Sequence, residues 1–248
     1  MTTAIIVQAR MRSSRLPGKV MQDLAGRTVL DHVLTRCAAI PSADVVVCAM
    51  PDEAASDALE EVARKAGAAT FRGSEADVLS RYAGAARSVN ADIIMRVTSD
   101  CPLIDPDICG AVLALREAQC ADYAANNMPP SFPHGLDCEV MTMGALAEVE
   151  VTAKEPYARE HVTPWLRRAP HVRRANHHSG DAALFAHRWT LDYPEDLTFF
   201  QQVFAALPGN SPARMSDILA LLRSDPSLSQ INAMHAHLAA AVAPGAWL

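Results

Sequence analysis

A mostly parallel sheet with helices on both faces, an α/β fold, is what the first half of this chain predicts. Short apolar runs of strand length alternate with longer stretches whose apolar residues recur at helical spacing, and parallel strands need such crossover helices. The segment after the first apolar run carries Arg10, Arg12, Arg15 and Lys19 within ten residues and no acid, although the chain as a whole has a net charge of −6. Ligands in these folds lie at the carboxyl ends of the strands, and a cationic loop there points to phosphate.

Ala4–Val7 is the first buried strand. After the cationic loop, Val29, Leu30, Val33 and Leu34 mark a helix within Thr28–Ile40. Asp44–Met50 is a second strand, and Asp52–Gly67 a helix with Leu59, Val62 and Ala63 inward and Gly67 as its stop. A short strand at Ala69–Arg72, a helix at Asp77–Val89 and a strand at Asp92–Val97 follow, and then Pro106 opens a helix. This places Gln8–Lys19, Arg72–Asp77 and Thr98–Asp105 on one rim.

The second half is less regular. A proline-rich stretch between Asn126 and Val140 reads as a binding loop leading into a strand at Cys138–Met141. Helices are expected at Gly144–Val151 and Tyr157–Arg168, a strand at Arg188–Leu191, and helices at Asp196–Ala206, at Met215–Leu222 and, more weakly, after Gln230. No repeat or linker divides the chain, so residues 1–248 read as one domain.

Half of the residues are hydrophobic and a fifth are charged, ordinary globular usage. The acidic balance argues against nucleic-acid binding, which needs a broad basic surface. The apolar run in MTTAIIVQAR is cut off by Arg10, and no apolar stretch reaches membrane-spanning length, so a cytoplasmic chain with no membrane partner is expected. The six cysteines form no C-x-x-C pair, and reduced, buried thiols are expected.

Arginine offers a planar fork to two phosphate oxygens, lysine a movable charge, and Gly18 lets backbone N–H groups approach the same oxygens. Arg10, Arg15 and Lys19 are therefore phosphate-binding candidates, although the ATP-type G-x-x-x-x-G-K-[ST] loop is absent. In RVTSDCPLID, Asp100 follows the strand closely enough to face the rim and hold Mg²⁺, whereas Asp105 before Pro106 suits a helix cap. In WTLDYPEDL, Asp192 lies at the expected strand end as a second metal carboxylate, while Glu195 and Asp196 suit the first turn of the next helix. His32 reads as structural, and Trp165, Trp189 and Trp247 as core or interface residues. A metal site at His177–His178 or His235–His237 is disfavoured, because no cysteine or acid stands at ligand spacing.

Together, QARMRSSRLPGKV, FRGSEADVLSRY, RVTSDCPLID, HGLDCEV, REHVTP and WTLDYPEDL resemble the spore-coat-polysaccharide F-type cytidylyltransferases, relatives of the CMP-Kdo and CMP-sialic acid synthetases. The resemblance runs from about Ala4 to about Phe204. It implies a Rossmann-like nucleotidyltransferase fold, and Mg²⁺-dependent formation of a CMP-sugar and pyrophosphate from CTP and a sugar acid for surface polysaccharide. By motif, Gln8, Ala9, Arg10, Arg15, Lys19 and Asp100 would bind the nucleotide, with Gly73, Asp77 and Arg81 near it. Arg10, Lys19 and Asp100 would form the catalytic set, and Asp100 and Asp192 would bind magnesium. His134, Asp137 and Glu139, with Arg159, Glu160 and His161, would face the acceptor. Segment 126–178 would supply acceptor-binding and dimerisation elements, since these relatives are commonly homodimers. The Kdo enzymes have proline where this chain has Gln8, and the sialate enzymes lack the R-L-P-G-K form of Arg15–Lys19, so the resemblance carries the reaction class further than the sugar. Rival readings are a metal-dependent glycosyltransferase, a sugar-phosphate nucleotidyltransferase using another triphosphate, and a nucleotide-sensing module without chemistry.

Overall fold

The computed structural model describes residues 1–207 and 212–236; Trp247 and His237 lie outside them. The chain opens with β1 (Thr3–Gln8), the cationic loop, and a small hairpin of β2 (Asp23–Leu24) and β3 (Arg27–Thr28). Then come α1 (Val29–Ala38), β4 (Val45–Pro51), α2 (Asp57–Lys65), β5 (Ala69–Gly73), α3 (Val78–Ser88), β6 (Ile93–Thr98) and α4 (Pro106–Ala118). The second half holds β7 (Tyr123–Ala125), β8 (Glu139–Thr142), α5 (Met143–Thr152), α6 (Pro156–His161), β9 (Arg174–Asn176), α7 (Pro194–Ala206), α8 (Met215–Ser224) and α9 (Ser227–Gln230).

Seven strands make one sheet in the order β5-β4-β1-β6-β8-β7-β9. β5, β4, β1 and β6 run parallel, β8 is antiparallel to both of its neighbours, and β9 is parallel to β7. Alternation along the strands divides the core between the faces. Ile5, Val7, Met95 and Val97 pack with Val33 and Cys37 of α1 and Val112 of α4. Ala4, Ile6 and Ile94 pack with Leu79 and Tyr82 of α3 and Leu146 of α5. A third cluster joins Leu24 and Trp189 to Phe199 and Phe200 of α7 and Ile218 of α8.

Helix starts follow capping chemistry. Thr28, Asp77, Asp105 and Thr142 each accept a backbone N–H in the first turn of α1, α3, α4 and α5. Asp196 accepts from the backbone N–H of Asp192 and Tyr193 and fixes the entry to α7. Gly67, at φ +77°, ends α2 in a conformation open to glycine.

Three expectations need correction. The helix expected over Tyr157–Arg168 stops at His161, because Val162 turns to φ 68° while its side chain is fully buried. A β-branched residue there is an outlier, held by its packing and by the Thr163 hydroxyl bonding to Glu139. Arg188–Leu191 is not a strand: it touches the sheet region through one bridge to His134, and the Leu191 N–H bonds to the Asp100 carbonyl instead. Asp192 accordingly sits in a loop. The weak helix expected after Gln230 meets a short 3₁₀ turn at Ala233–His235 among the described residues, and the rest of it lies outside them. All six cysteines are free, and five are buried, but Cys120 is exposed. No helix among the described residues is long and apolar enough to cross a membrane.

Candidate active site

The carboxyl ends of β1 and β6 open into a cleft of about 260 Å³. Its lining brings together Gln8, Ala9, Arg10, Arg15, Lys19, Arg81, Asp100, Glu160, His161 and Asp192 from five separate segments. The loop after β1 is closed on itself by the Gly18 N–H, which donates to the Met11 carbonyl at 3.0 Å with Gly18 at φ 67°. That left-handed turn starts the short 3₁₀ helix Lys19–Met21 and aims Lys19 across the cleft.

Lys19 is the hub. Its Nζ donates to Asp100 Oδ2 at 2.8 Å, Asp192 Oδ1 at 2.7 Å and the Leu191 carbonyl at 2.8 Å. Burial opposes the ammonium charge, but the two carboxylates outweigh it and raise the Lys19 pKa. Burial likewise works against the Asp100 carboxylate; Lys19 and the Thr98 hydroxyl overcome it and bring the pKa down to about 2. Arg15 reaches Asp192 Oδ2 at 3.1 Å and lies over the Tyr193 ring, 5.2 Å from its centroid. Arg10 is exposed and has no ion-pair partner among the described residues. Arg12, which also lines the cleft, pairs with Glu53 and Glu75, at 3.2 Å each.

Two carboxylates and a carbonyl converging on one cation form an oxygen-only donor set. That chemistry fits a hard divalent ion such as Mg²⁺, which uses one or two carboxylates with phosphate oxygens and water. No cluster of three or more His, Cys, Asp or Glu side chains fit to hold a metal occurs among the described residues. Asp100 and Asp192 are thus the side chains here that could hold such an ion, with substrate oxygens completing the set.

Gly73, Asp77, Arg159, His134, Asp137 and Glu139 lie outside the lining of this cleft. Gly73 ends β5 against Arg81: a Cβ there would sit 3.1 Å from the Arg81 side chain, so the position packs the cleft wall. Asp77 caps α3 and pairs with Arg159 at 2.5 Å. Both line a neighbouring groove that shares Arg10 and Glu160 with the cleft. His134 Nδ1 lies 3.4 Å from Asp137 Oδ2. Burial lowers the His134 pKa, and Asp137 more than reverses this. Glu139 is locked inside: it pairs with Arg96 at 2.7 Å and Arg167 at 2.6 Å, and accepts from Thr163 and Tyr123. His161 lines the cleft with its ring 4.3 Å from that of Tyr157; burial lowers its pKa, assisted by Arg96 and Arg10.

Thr98, from the expected rim segment, lines the cleft, as do Arg96 and Val78, which were not singled out from sequence. The signal for Arg96 was an arginine inside the otherwise apolar run IIMRV. Asp196, read as a helix-start acid, is fully buried, forks to Arg188 at 2.9 and 2.8 Å and holds the Asp192 N–H at 3.0 Å. It thereby positions Asp192. His32 bonds the Leu24 carbonyl at 2.8 Å, consistent with a structural role.

A mostly parallel α/β sheet with a cationic loop after β1 and a carboxylate pair across from it defines a nucleotidyltransferase. The chain belongs to the family described as Cytidylyltransferase, which it matches over residues 4–207. It is 30% identical to the spore coat polysaccharide biosynthesis protein SpsF of Bacillus subtilis, over 89% of this chain and 94% of that protein. A 3-deoxy-manno-octulosonate cytidylyltransferase of Anaeromyxobacter dehalogenans is 37% identical over 46% of this chain and 47% of its own length. Among solved structures, a cytidylyltransferase from Leptospira borgpetersenii superposes with a TM-score of 0.88 at 30% identity, covering 93% of this chain and 97% of that one. CMP:2-keto-3-deoxy-manno-octonic acid synthetase complexed with CTP shares the fold, with a TM-score of 0.63 at 18% identity over 83% of this chain and 99% of that one.

Proposed function

We propose that this protein transfers the cytidylyl group of CTP to a sugar acid, of nonulosonic type, releasing pyrophosphate and yielding a CMP-sugar for surface polysaccharide or glycan synthesis. The observation that carries this reading is Lys19 held between Asp100 and Asp192, side chains 92 residues apart in sequence, with Arg10 and Arg15 beside them. That arrangement suits a polyphosphate and its cation and is more than a mononucleotide diphosphate needs.

In this reading Arg10, Arg15 and Lys19 hold the triphosphate and offset the charge that develops on the departing pyrophosphate. Asp100 and Asp192 would hold Mg²⁺, which when bound supplies charge neutralisation at the phosphate oxygens. The cleft walls at Arg81, Glu160 and His161 align the acceptor hydroxyl with the α-phosphorus, so that attack and departure lie in line. His161, whose pKa is lowered by burial, stays uncharged at neutral pH and is free to accept a hydrogen bond from the acceptor. The chain would act as a homodimer through segment 126–178, a reading supported by the exposed Val151 and Tyr157 there. Cytoplasmic CTP and six free thiols fit a cytoplasmic enzyme.

The test is Asp100→Asn and Asp192→Asn, each assayed for pyrophosphate release from CTP and Mg²⁺ across a panel of sugar acids. Both variants are expected to fold with wild-type circular dichroism and to lose turnover. Wild-type pyrophosphate release by either would remove the metal assignment, and release from UTP or dTTP in preference to CTP would favour the sugar-phosphate alternative.

A further inference from the structure

We propose that Arg96, on the floor of the cleft, is the residue that receives a carboxylate of the acceptor. This rests on the cytidylyl-transfer reading and assigns that reaction a specificity-determining residue.

Arg96 stands in β6 on the face shared with Ile94, above the ring of Tyr82, whose centroid is 6.0 Å away. Its fork is under-used. Nη1 donates to Glu139 at 2.7 Å, Nη2 has only a long 3.5 Å contact with Gln8 Oε1, and Nε is buried with no hydrogen-bond partner. The side chain is 16% exposed, and it lines the cleft.

Charge balance sharpens the point. Glu139 is one carboxylate shared by two guanidinium groups, Arg96 and Arg167. Arg81, 2% exposed and on the same wall, adds a further cation that Glu160 in the lining balances in part; its Nη1 donates to the Ser74 carbonyl, and its Nε has no hydrogen-bond partner. Surplus positive charge in a buried site is unfavourable unless a ligand of opposite charge completes it. A planar fork with spare donors matches a carboxylate.

A nucleotide phosphate could in principle offer the same oxygens. Arg10, Arg15 and Lys19 already provide three cations for phosphate at the mouth of the cleft. Arg96 lies two residues, about 7 Å, down the strand from Thr98. A carboxylate held there fixes the orientation of the hydroxyl attached beside it, which is the attacking group of a sugar acid.

Arg96→Met is a clean probe because it leaves Glu139 paired with Arg167, Thr163 and Tyr123, an electrically balanced set. Crystals of the wild type and of Arg96→Met are soaked in sodium bromide, with and without CTP and Mg²⁺, and bromide is located by anomalous scattering. Bromide is expected within hydrogen-bonding range of Arg96 in both wild-type crystals and absent from the variant. No bromide at Arg96, or a nucleotide phosphate seated on it, overturns the proposal. Should Arg96→Met not fold, Gln8→Glu offers the fork an internal carboxylate and is expected to displace the bromide; persistence would equally overturn it.

In solution, Arg96→Met is expected to raise KM for the acceptor by about 30-fold, the loss of a charge-assisted hydrogen bond. Calorimetric CTP affinity should stay within about twofold of wild type, and a larger loss assigns Arg96 to the nucleotide and sinks the proposal. Absence of pyrophosphate release by the wild type with every sugar acid defeats the transfer reading alone, because the bromide experiment stands independently.

Discussion

Replacing Glu139 with glutamine removes the carboxylate that pairs with both Arg96 and Arg167, at a position only 2% exposed. Removing one partner of a buried ion-pair network costs about 3–5 kcal/mol, mainly because the charges left behind are neither solvated nor paired. Proton linkage gives a second route to the magnitude. Burial alone would raise the Glu139 pKa; Arg167 and Arg96, with the Tyr123 hydroxyl, outweigh it and lower it from 4.5 to about 2. At about 1.4 kcal/mol per pKa unit, this is worth about 3 kcal/mol at neutral pH. A folded-state pKa below the unfolded one means that this stabilisation is fully present above about pH 4.5 and is lost as pH falls towards 2. Urea unfolding of wild type and Glu139→Gln at pH 7, 5, 4 and 3 is the assay. The gap should be about 3 kcal/mol or more at pH 7 and shrink steadily below pH 4.5. A gap under about 1 kcal/mol at pH 7, the scale of a surface pair, or one unchanged down to pH 3, would refute the buried-network reasoning.

Three further outcomes are expected. Asp196→Ala strands the buried Arg188 and removes the anchor of the Asp192 backbone, so thermal melting should drop by about 10 °C; a drop of under about 3 °C contradicts that role. Lys19→Met leaves Asp100 and Asp192 without their shared cation, so the Asp100 pKa should climb from about 2, as followed by carboxyl NMR titration, and pyrophosphate release should fall by at least about 100-fold. An unmoved titration would show that Lys19 is not what holds that carboxylate down. In native protein one thiol, Cys120, should react rapidly with a thiol reagent, and the other five only after unfolding; fast labelling of Cys48 or Cys109 would contradict their burial.

The regular first half was legible because β1, β4 and β6 are largely apolar runs and its helices open on recognisable caps, although the two-residue strands β2 and β3 gave no such signal. Thr28, Asp77 and Asp105 cap helices as their side chains suggest. β7 and β9 escaped notice because three-residue strands, Tyr123–Ala125 and Arg174–Asn176, are too short to display a period. Arg188–Leu191 looked like a strand because Trp189 and Leu191 are fully buried, yet their burial comes from the α7 cluster and not from a sheet. Periodicity reports burial; it does not say what does the burying.

The site divided in the same way. Charge density made Arg10, Arg15 and Lys19 conspicuous, and strand ends drew attention to Asp100. Glu139 lay in a plausible acceptor loop, but its partners Arg96, Tyr123 and Arg167 come from distant segments, and no local pattern announces a long-range ion network. Asp196 illustrates the converse: an acid in a first helical turn ordinarily serves the helix dipole, and here it also neutralises Arg188 and holds the Asp192 backbone.

The most direct measurement uses CTP labelled at the α-phosphorus in one reaction and at the β-phosphorus in another, each with Mg²⁺ and the sugar-acid panel. The α label is expected to move onto the acceptor while the β label leaves as pyrophosphate. Transfer of the β label to the acceptor, or no consumption of CTP with any sugar acid while another triphosphate is consumed, would contradict cytidylyl transfer.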